Sequence, residues 1–331
     1  MSRQAAIIAA LIAFGAADAQ AQPKTMTLIV GGSPGSAYSM YGTTLAHTIK
    51  RYIPGEPNII VKHMHGAGGN IAAEYMHAQA PADGSTFSLL PAGSLIDPLF
   101  NPGRFAFDPN KFEYLGTMDQ DTRICVTAGR SPVKTFSDAR AQSAIIAGTQ
   151  PGSTTVDYPH MMNALAGTKF KLVQGYRGTS DSILAIERGE ADGMCTFFST
   201  IASLRPKWLT SDANVLVYVA INPQPGVAKY KIPSIFDFVS DDVKPVIELI
   251  ATQQVFGRAA VLPAGTPPAQ VKMLRTAFMA TLHDPDFLRD AAKLSLDINP
   301  LDGESVAALI RKMYAAPPDM VERMAKALKR S

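Results

Sequence analysis

Asn58–Met64, Gly66-Ala67-Gly68-Gly69-Asn70, Ile71–Ala80, Pro81-Ala82-Asp83-Gly84 and Thr86–Leu90 follow one another along the chain, and this stretch decides the fold. The first segment reads as a strand, the glycines as a tight turn, and Ile71–Ala80 as a helix. The Pro-Ala-Asp-Gly turn then leads into a second strand at Thr86–Leu90. Strands joined through a helix pair in parallel, because a tight hairpin can only reverse the chain. Upstream the rhythm is the same. Thr25–Val30 is a short β-branched run that stops at Gly31-Gly32-Ser33-Pro34-Gly35-Ser36, and Tyr41, Leu45, Thr48 and Ile49 follow near helical spacing.

A second set of elements begins near Ile124. Ile124–Thr127, Ala144–Ala147 and Lys171–Gln174 read as strands, with helices expected from about Thr154 to Leu165 and over Ser180–Arg188. Val215–Ala220 and Gln254–Val261 are further strand candidates. The tail is helical: Thr266 can cap a helix with Pro267 and Pro268 in its first turn, and Val271, Leu274, Phe278 and Leu282 give that helix an apolar face. Alternating strands and helices of this kind predict an α/β protein with largely parallel sheets.

Composition narrows the function. The chain has 331 residues, 47% hydrophobic and 18% charged, with a net charge of +3. That length supports two domains. Lys and Arg are scattered rather than gathered on a stripe, so nucleic acid is not an expected partner. Residues 1–21 read as a secretory signal peptide: Arg3 is the positive end, Ala5–Ala17 the short apolar run, and Ala17-Asp18-Ala19 with Ala19-Gln20-Ala21 two small-x-small cleavage signatures. The run is shorter than the ~20 apolar residues that span a bilayer, so cleavage near residues 19–21 and release as a soluble protein are expected. Export permits a disulfide between Cys125 and Cys195, but two small buried hydrophobes are the favoured reading, since sequence does not show that the two approach within bridging distance.

Gly32–Ser39, Gly66–Asn70 and Gly148–Thr155 share one design of strand, small residues and helix. A helix N-terminus carries unpaired N–H groups and a partial positive charge, and small residues let a ligand approach them. Hydroxyls at Ser36, Ser153, Thr154 and Thr155 add donors, so these loops can hold a carboxylate. A dinucleotide is not expected: in Gly66-Ala67-Gly68-Gly69-Asn70-Ile71 an isoleucine stands where G-x-G-x-x-G needs its last glycine, and no G-x-x-x-x-G-K-[ST] loop is present. No cofactor is expected.

Pro34-Gly35-Ser36-Ala37, Gly66-Ala67-Gly68-Gly69-Asn70-Ile71-Ala72 and Ala80-Pro81-Ala82-Asp83-Gly84 resemble the Bug family, the solute-binding proteins of tripartite tricarboxylate transporters. The resemblance continues through Gly148–Thr155, Gly175-Tyr176-Arg177-Gly178-Thr179, Gly189-Glu190-Ala191-Asp192 and Leu262-Pro263-Ala264-Gly265-Thr266-Pro267. It implies a type II periplasmic-binding-protein fold, with two α/β lobes closing on a ligand in the cleft between them. Residues 22–124 would form the first lobe, 125–252 the second, and 253–331 would return to the first with the C-terminal helices. It further implies a periplasmic monomer that delivers a small mono-, di- or tricarboxylate, including aromatic acids, to membrane permease subunits. Ser36, Ala37, Tyr38, Ser39, Gly68, Gly69 and Asn70 would bind from the first lobe, and Ser153, Thr154, Thr155, Arg177, Gly178 and Thr179 from the second. Where the family usually has three glycines, a small residue and Asp after the proline, this chain has Gly35-Ser36-Ala37-Tyr38-Ser39. Loss of the acidic residue disfavours an amino acid ligand.

Other readings rank below this one. A receptor that docks on a membrane sensor kinase would have the same lobes and cleft. An exported enzyme has less support, since the glycines around Ser33 are in the wrong order for a G-x-S-x-G elbow. His63 and His65 fall on one face of a strand, yet no further ligand stands at a recognised zinc spacing, so no metal is expected.

Overall fold

The computed structural model describes residues 24–149, 153–221, 223–294 and 296–329. The leader read over residues 1–21 and the loop residue Gly152 lie outside them. The first lobe opens with β1 (Thr25–Val30), α1 (Ala37–Ile49), β2 (Asn58–His63), α2 (Asn70–Ala78), β3 (Thr86–Leu90), α3 (Ala92–Phe100) and β4 (Glu113–Thr117). The chain then crosses to β5 (Arg123–Ala128), α4 (Phe136–Ala141), β6 (Ser143–Gly148), α5 (Thr154–Leu165), β7 (Lys169–Gln174) and α6 (Thr179–Arg188). The second lobe continues with β8 (Gly193–Phe197), α7 (Phe198–Leu204), β9 (Ala213–Val219), α8 (Pro225–Lys229) and α9 (Lys244–Thr252). It returns to β10 (Ala259–Leu262), α10 (Pro268–Leu282), α11 (Pro285–Lys293), β11 (Leu301–Asp302), α12 (Gly303–Tyr314) and α13 (Pro318–Leu328).

Two sheets result, ordered β11-β4-β10-β3-β1-β2 and β7-β6-β8-β5-β9. In the first, β1 pairs in parallel with β2 and β3, and β10 is inserted antiparallel between β3 and β4. In the second, β6 pairs in parallel with β7 and β8, and β5 is inserted antiparallel between β8 and β9. Each sheet thus takes in a reversed strand laid down just after the chain crosses from the other lobe. The N-terminal end of that strand lies beside the C-terminal ends of its parallel neighbours, where open α/β sheets receive ligands.

Burial follows the strand period. Leu28 and Val30 of β1 pack with Tyr41 and Leu45 of α1 and Phe278 of α10, whereas Ile29 joins the opposite cluster with Ala72 and Met76 of α2. In β5, Ile124 and Val126 pack with Ile183 and Ile186 of α6, and Cys125 joins Met161 and Met162 of α5. Helices cover both faces, which is why these strands read as unbroken apolar runs. Cys125 and Cys195 face each other across the β5–β8 ladder and form a disulfide, an outcome the sequence left open. At the C-terminus, α10 and α12 pack on β4 of the first sheet, while α13 packs on α5 and α9. The strand expected over Gln254–Val261 is split: residues 253–256 form a helical turn and β10 starts at Ala259. Buried Gln254 holds that turn by donating from Nε2 to Tyr158 Oη and to the Val219 carbonyl.

Candidate functional site

A cavity of about 860 Å³ lies between the lobes. The first lobe lines it with Tyr38 at the start of α1, Ala67, Gly68 and Asn70 before and at the start of α2, and Pro91, Ala92, Gly93 and Asp97 around the start of α3. Phe100, Asn101, Arg104 and Phe105 complete that side. Ser153, Thr154, Arg123 and Phe197 line it from the second lobe, and Gly257 and Arg258 from the return crossing. Apart from residues 97–105, in α3 and the loop after it, these positions are strand C-terminal ends, the helix starts that follow them, or the entry ends of the reversed strands β5 and β10.

The glycine turn before α2 is built by backbone that other residues avoid. Gly68 and Gly69 have φ of 67° and 101°, and a Cβ on Gly69 would stand 2.6 Å from the Pro91 ring. This closeness packs the α2 turn against the α3 turn. Asn70 ties them further: its Nδ2 donates to the Ala67 carbonyl at 2.7 Å and to Asp97 Oδ2 at 3.0 Å, and its Oδ1 is buried without a protein partner among the described residues. Tyr38 joins α1 to the return crossing by donating to the Gly257 carbonyl at 2.7 Å. Burial raises its phenol pKa, with Arg258 opposing, so Tyr38 acts as a neutral donor.

Charge is concentrated at the back wall, where both crossings run. Arg258 Nη1 donates to Asp119 Oδ2 at 3.1 Å, joining the return crossing to the outgoing one, and its guanidinium lies over the ring of Tyr41. Burial pushes the Asp119 carboxyl up to about 7 against the pull of Arg258. Asp121 is also raised by burial, with Arg123 and a hydrogen bond from Ser199 opposing. Arg123 itself is 7% exposed. It donates to the Asp121 carbonyl and, through Nε, to Thr154 Oγ1 at 3.2 Å, and it lies 3.9 Å from the centre of the Phe197 ring. Three arginines (Arg104, Arg123, Arg258) stand against one aspartate (Asp97) among the lining residues, so the cavity favours an anion.

Of the residues singled out in the sequence, Tyr38, Gly68, Asn70, Ser153 and Thr154 line this cavity. Gly69 lies directly behind it against Pro91. The Ser36 hydroxyl is occupied as the N-cap of α1, accepting from the Ser39 amide, and Ala37 is exposed in that helix's first turn. Ser39 is buried with its Oγ 2.8 Å from His63 Nε2. That distance suits a nucleophile and base, but neither residue lines the cavity. Thr155 Oγ1 accepts from the Thr149 amide at 2.9 Å and holds the start of α5 together. Arg177, Gly178 and Thr179 follow β7, the edge strand beyond β6, which carries them away from the crossings; Arg177 is exposed.

Arg123, Arg258, Asp97, Phe197 and the Pro91–Gly93 turn were not singled out in the sequence. One signal was available: Arg123 and Arg258 each stand at the head of an otherwise apolar strand, and a charge there needs a partner or a cleft. Among the described residues no group of three or more His, Cys, Asp or Glu side chains is placed to hold a metal. Nor is any helix among them long and apolar enough to cross a membrane.

The chain matches no family model and no curated protein. Solved structures similar to it include a TctC solute-binding protein from Polaromonas, at 16% identity and TM-score 0.72 over 91% of this chain and 98% of that one. MatC from Rhodopseudomonas palustris with bound malate aligns at 20% identity and TM-score 0.59, covering 90% of this chain and 98% of its own. The periplasmic binding protein BugD aligns at 19% identity and TM-score 0.59, covering 92% and 97%. The fold is therefore that of the two-lobed periplasmic binding proteins, and its structural neighbours are of the TctC and Bug kind.

Proposed function

We propose that this chain is an exported solute-binding protein of the Bug type, which captures a small organic carboxylate between its lobes and presents it to the membrane subunits of a tripartite tricarboxylate-type carrier. One observation carries the reading: the inter-lobe cavity is lined from both lobes and the return crossing, with three arginines against one aspartate. Its size of about 860 Å³ falls within the usual range for small-molecule sites. Binding a ligand that touches both lobes favours the closed arrangement in proportion to the difference in affinity between the two states. The malate held by a structural neighbour and the signal peptide read over residues 1–21 agree with a periplasmic carboxylate receptor. No step of this function requires bond making, so the protein is read as a receptor and not an enzyme.

The test is a thermal-shift screen of the leaderless protein against mono-, di- and tricarboxylates, amino acids and sugars. A ligand at about 100 times its Kd adds roughly 2.7 kcal/mol of stability. A shift confined to one carboxylate class supports the reading. Shifts with uncharged sugars alone would overturn it.

A further inference from the structure

The two back-wall arginines occupy matching places but have unlike company. Arg123 is the first residue of β5, and Arg258 immediately precedes β10. Arg258 is paired with a carboxylate, Asp119, at 3.1 Å. Arg123 has neutral partners: a main-chain carbonyl, the Thr154 hydroxyl and the face of Phe197. The Asp121 carboxylate beside it accepts instead from Ser199. Among the described residues no ion pair is formed by Arg123, and its Nη2 has no protein acceptor, although the side chain is more than nine-tenths buried and lines the cavity. A buried guanidinium in this state is held ready for an anion.

Its position is fixed from several sides. Arg123 and Phe197 are direct partners in the β5–β8 ladder, and the disulfide lies at the Cys125–Cys195 pair two residues further along the same strands. Side chains at i and i+2 share a sheet face, so the bond lies on the same face as the Arg123–Phe197 stack, whose register the ladder sets. Thr154, in the first turn of α5, receives Nε and leaves Nη2 as the open corner of the fork.

Resting on the receptor reading above, we propose that Arg123 is the residue by which the protein selects its ligand's charge. The first-lobe turns at Gly68–Asn70 and Pro91–Gly93 take one carboxylate. Arg123 takes a second anionic group at the other end, so a dianion is preferred over a monoanion of the same skeleton.

The test uses matched pairs: succinate against butyrate, adipate against hexanoate, and isophthalate against benzoate. Each is titrated by calorimetry into wild type, Arg123→Gln and Arg123→Lys, with unfolding curves confirming that each variant is folded. In wild type at least one dianion should bind roughly 10- to 100-fold more tightly than its monoanion. Arg123→Gln should remove that preference by lowering dianion affinity far more than monoanion affinity, and Arg123→Lys should restore part of it. Equal binding of both members of every pair by wild type overturns the proposal and leaves the carboxylate receptor standing. A preference that survives in Arg123→Gln also overturns it. If no carboxylate binds wild type, the receptor reading itself fails, and the assignment of Arg123 with it.

Discussion

Replacing Cys125 and Cys195 by alanine tests the link between the second lobe's stability and its share of the cleft. The bond joins residues 70 apart in sequence, and both side chains are buried at 1% exposure or less. In the chain-entropy description, closing a loop of that length removes about 15 cal/mol/K from the unfolded chain, or about 4.4 kcal/mol at 25 °C. Losses measured for native disulfides run at about 2–5 kcal/mol, and that is the range expected here. Because the uncrosslinked chain unfolds to a more expanded ensemble, the urea m-value should rise as the midpoint falls. Below the transition the β5–β8 ladder keeps Arg123 opposite Phe197, so affinity should change far less than stability. Urea unfolding of both proteins, followed by far-ultraviolet circular dichroism, reads the effect. An unchanged midpoint would refute the reasoning. So would two free thiols per chain on titrating the denatured, unreduced wild type.

Three further outcomes follow from the cleft. The Asp119 carboxyl has its folded pKa raised by burial from 3.8 to about 7, so its contribution to stability is full below about pH 3.8 and is lost as pH rises through about 7. Unfolding free energies measured between pH 4 and 7.5 should fall by on the order of 1–4 kcal/mol from this group, and Asp119→Asn should flatten that decline; parallel curves would refute the assignment. Gly69→Ala forces a φ of 101° on a residue with a side chain and drives its Cβ to 2.6 Å from Pro91, so a loss of about 1–3 kcal/mol and weakened ligand binding are expected in melting and calorimetry. Arg123→Met removes the charge that offsets burial at the Asp121 carboxyl, so the urea midpoint of the unliganded protein should fall at neutral pH and the loss should shrink as pH is lowered; a midpoint unchanged at every pH would refute that coupling.

Local chemistry was legible in the sequence and long-range chemistry was not. β1 runs over Thr25–Val30 as its composition predicts, and the glycine turn before α2 stands where the sequence placed it. Gly193–Phe197, by contrast, is a short segment whose strand pairing is with β5, about the far side of the second lobe in sequence, and nothing in its five residues announces it. The hydroxyls of Ser36 and Thr155 were legible as donors and acceptors, but their neighbours already use them, as a helix cap and as the acceptor of the Thr149 amide. Arg258 meets Asp119 from 139 residues away, so their pairing depends on both crossings being in place. The edge position of β7, which carries Arg177 away from the cavity, is a property of strand order and not of any local motif.

The unequal treatment of the two arginines has a thermodynamic logic. Burying a guanidinium costs several kcal/mol unless its charge is compensated, and at Arg258 the fold sets the Asp119 carboxyl 3.1 Å from Nη1. That pair spans the outgoing and return crossings, so it serves the integrity of the junction whether or not ligand is present. At Arg123 the direct partners are a carbonyl, a hydroxyl and a π face, and the neighbouring Asp121 carboxyl acts on it without a direct contact while accepting from Ser199. The remaining cost is relieved when an anion enters. Free energy withheld from the empty protein is then released on binding, and only a ligand carrying charge at that end can release it. Discrimination between ligands therefore follows from leaving one of two equivalent positions unpaired.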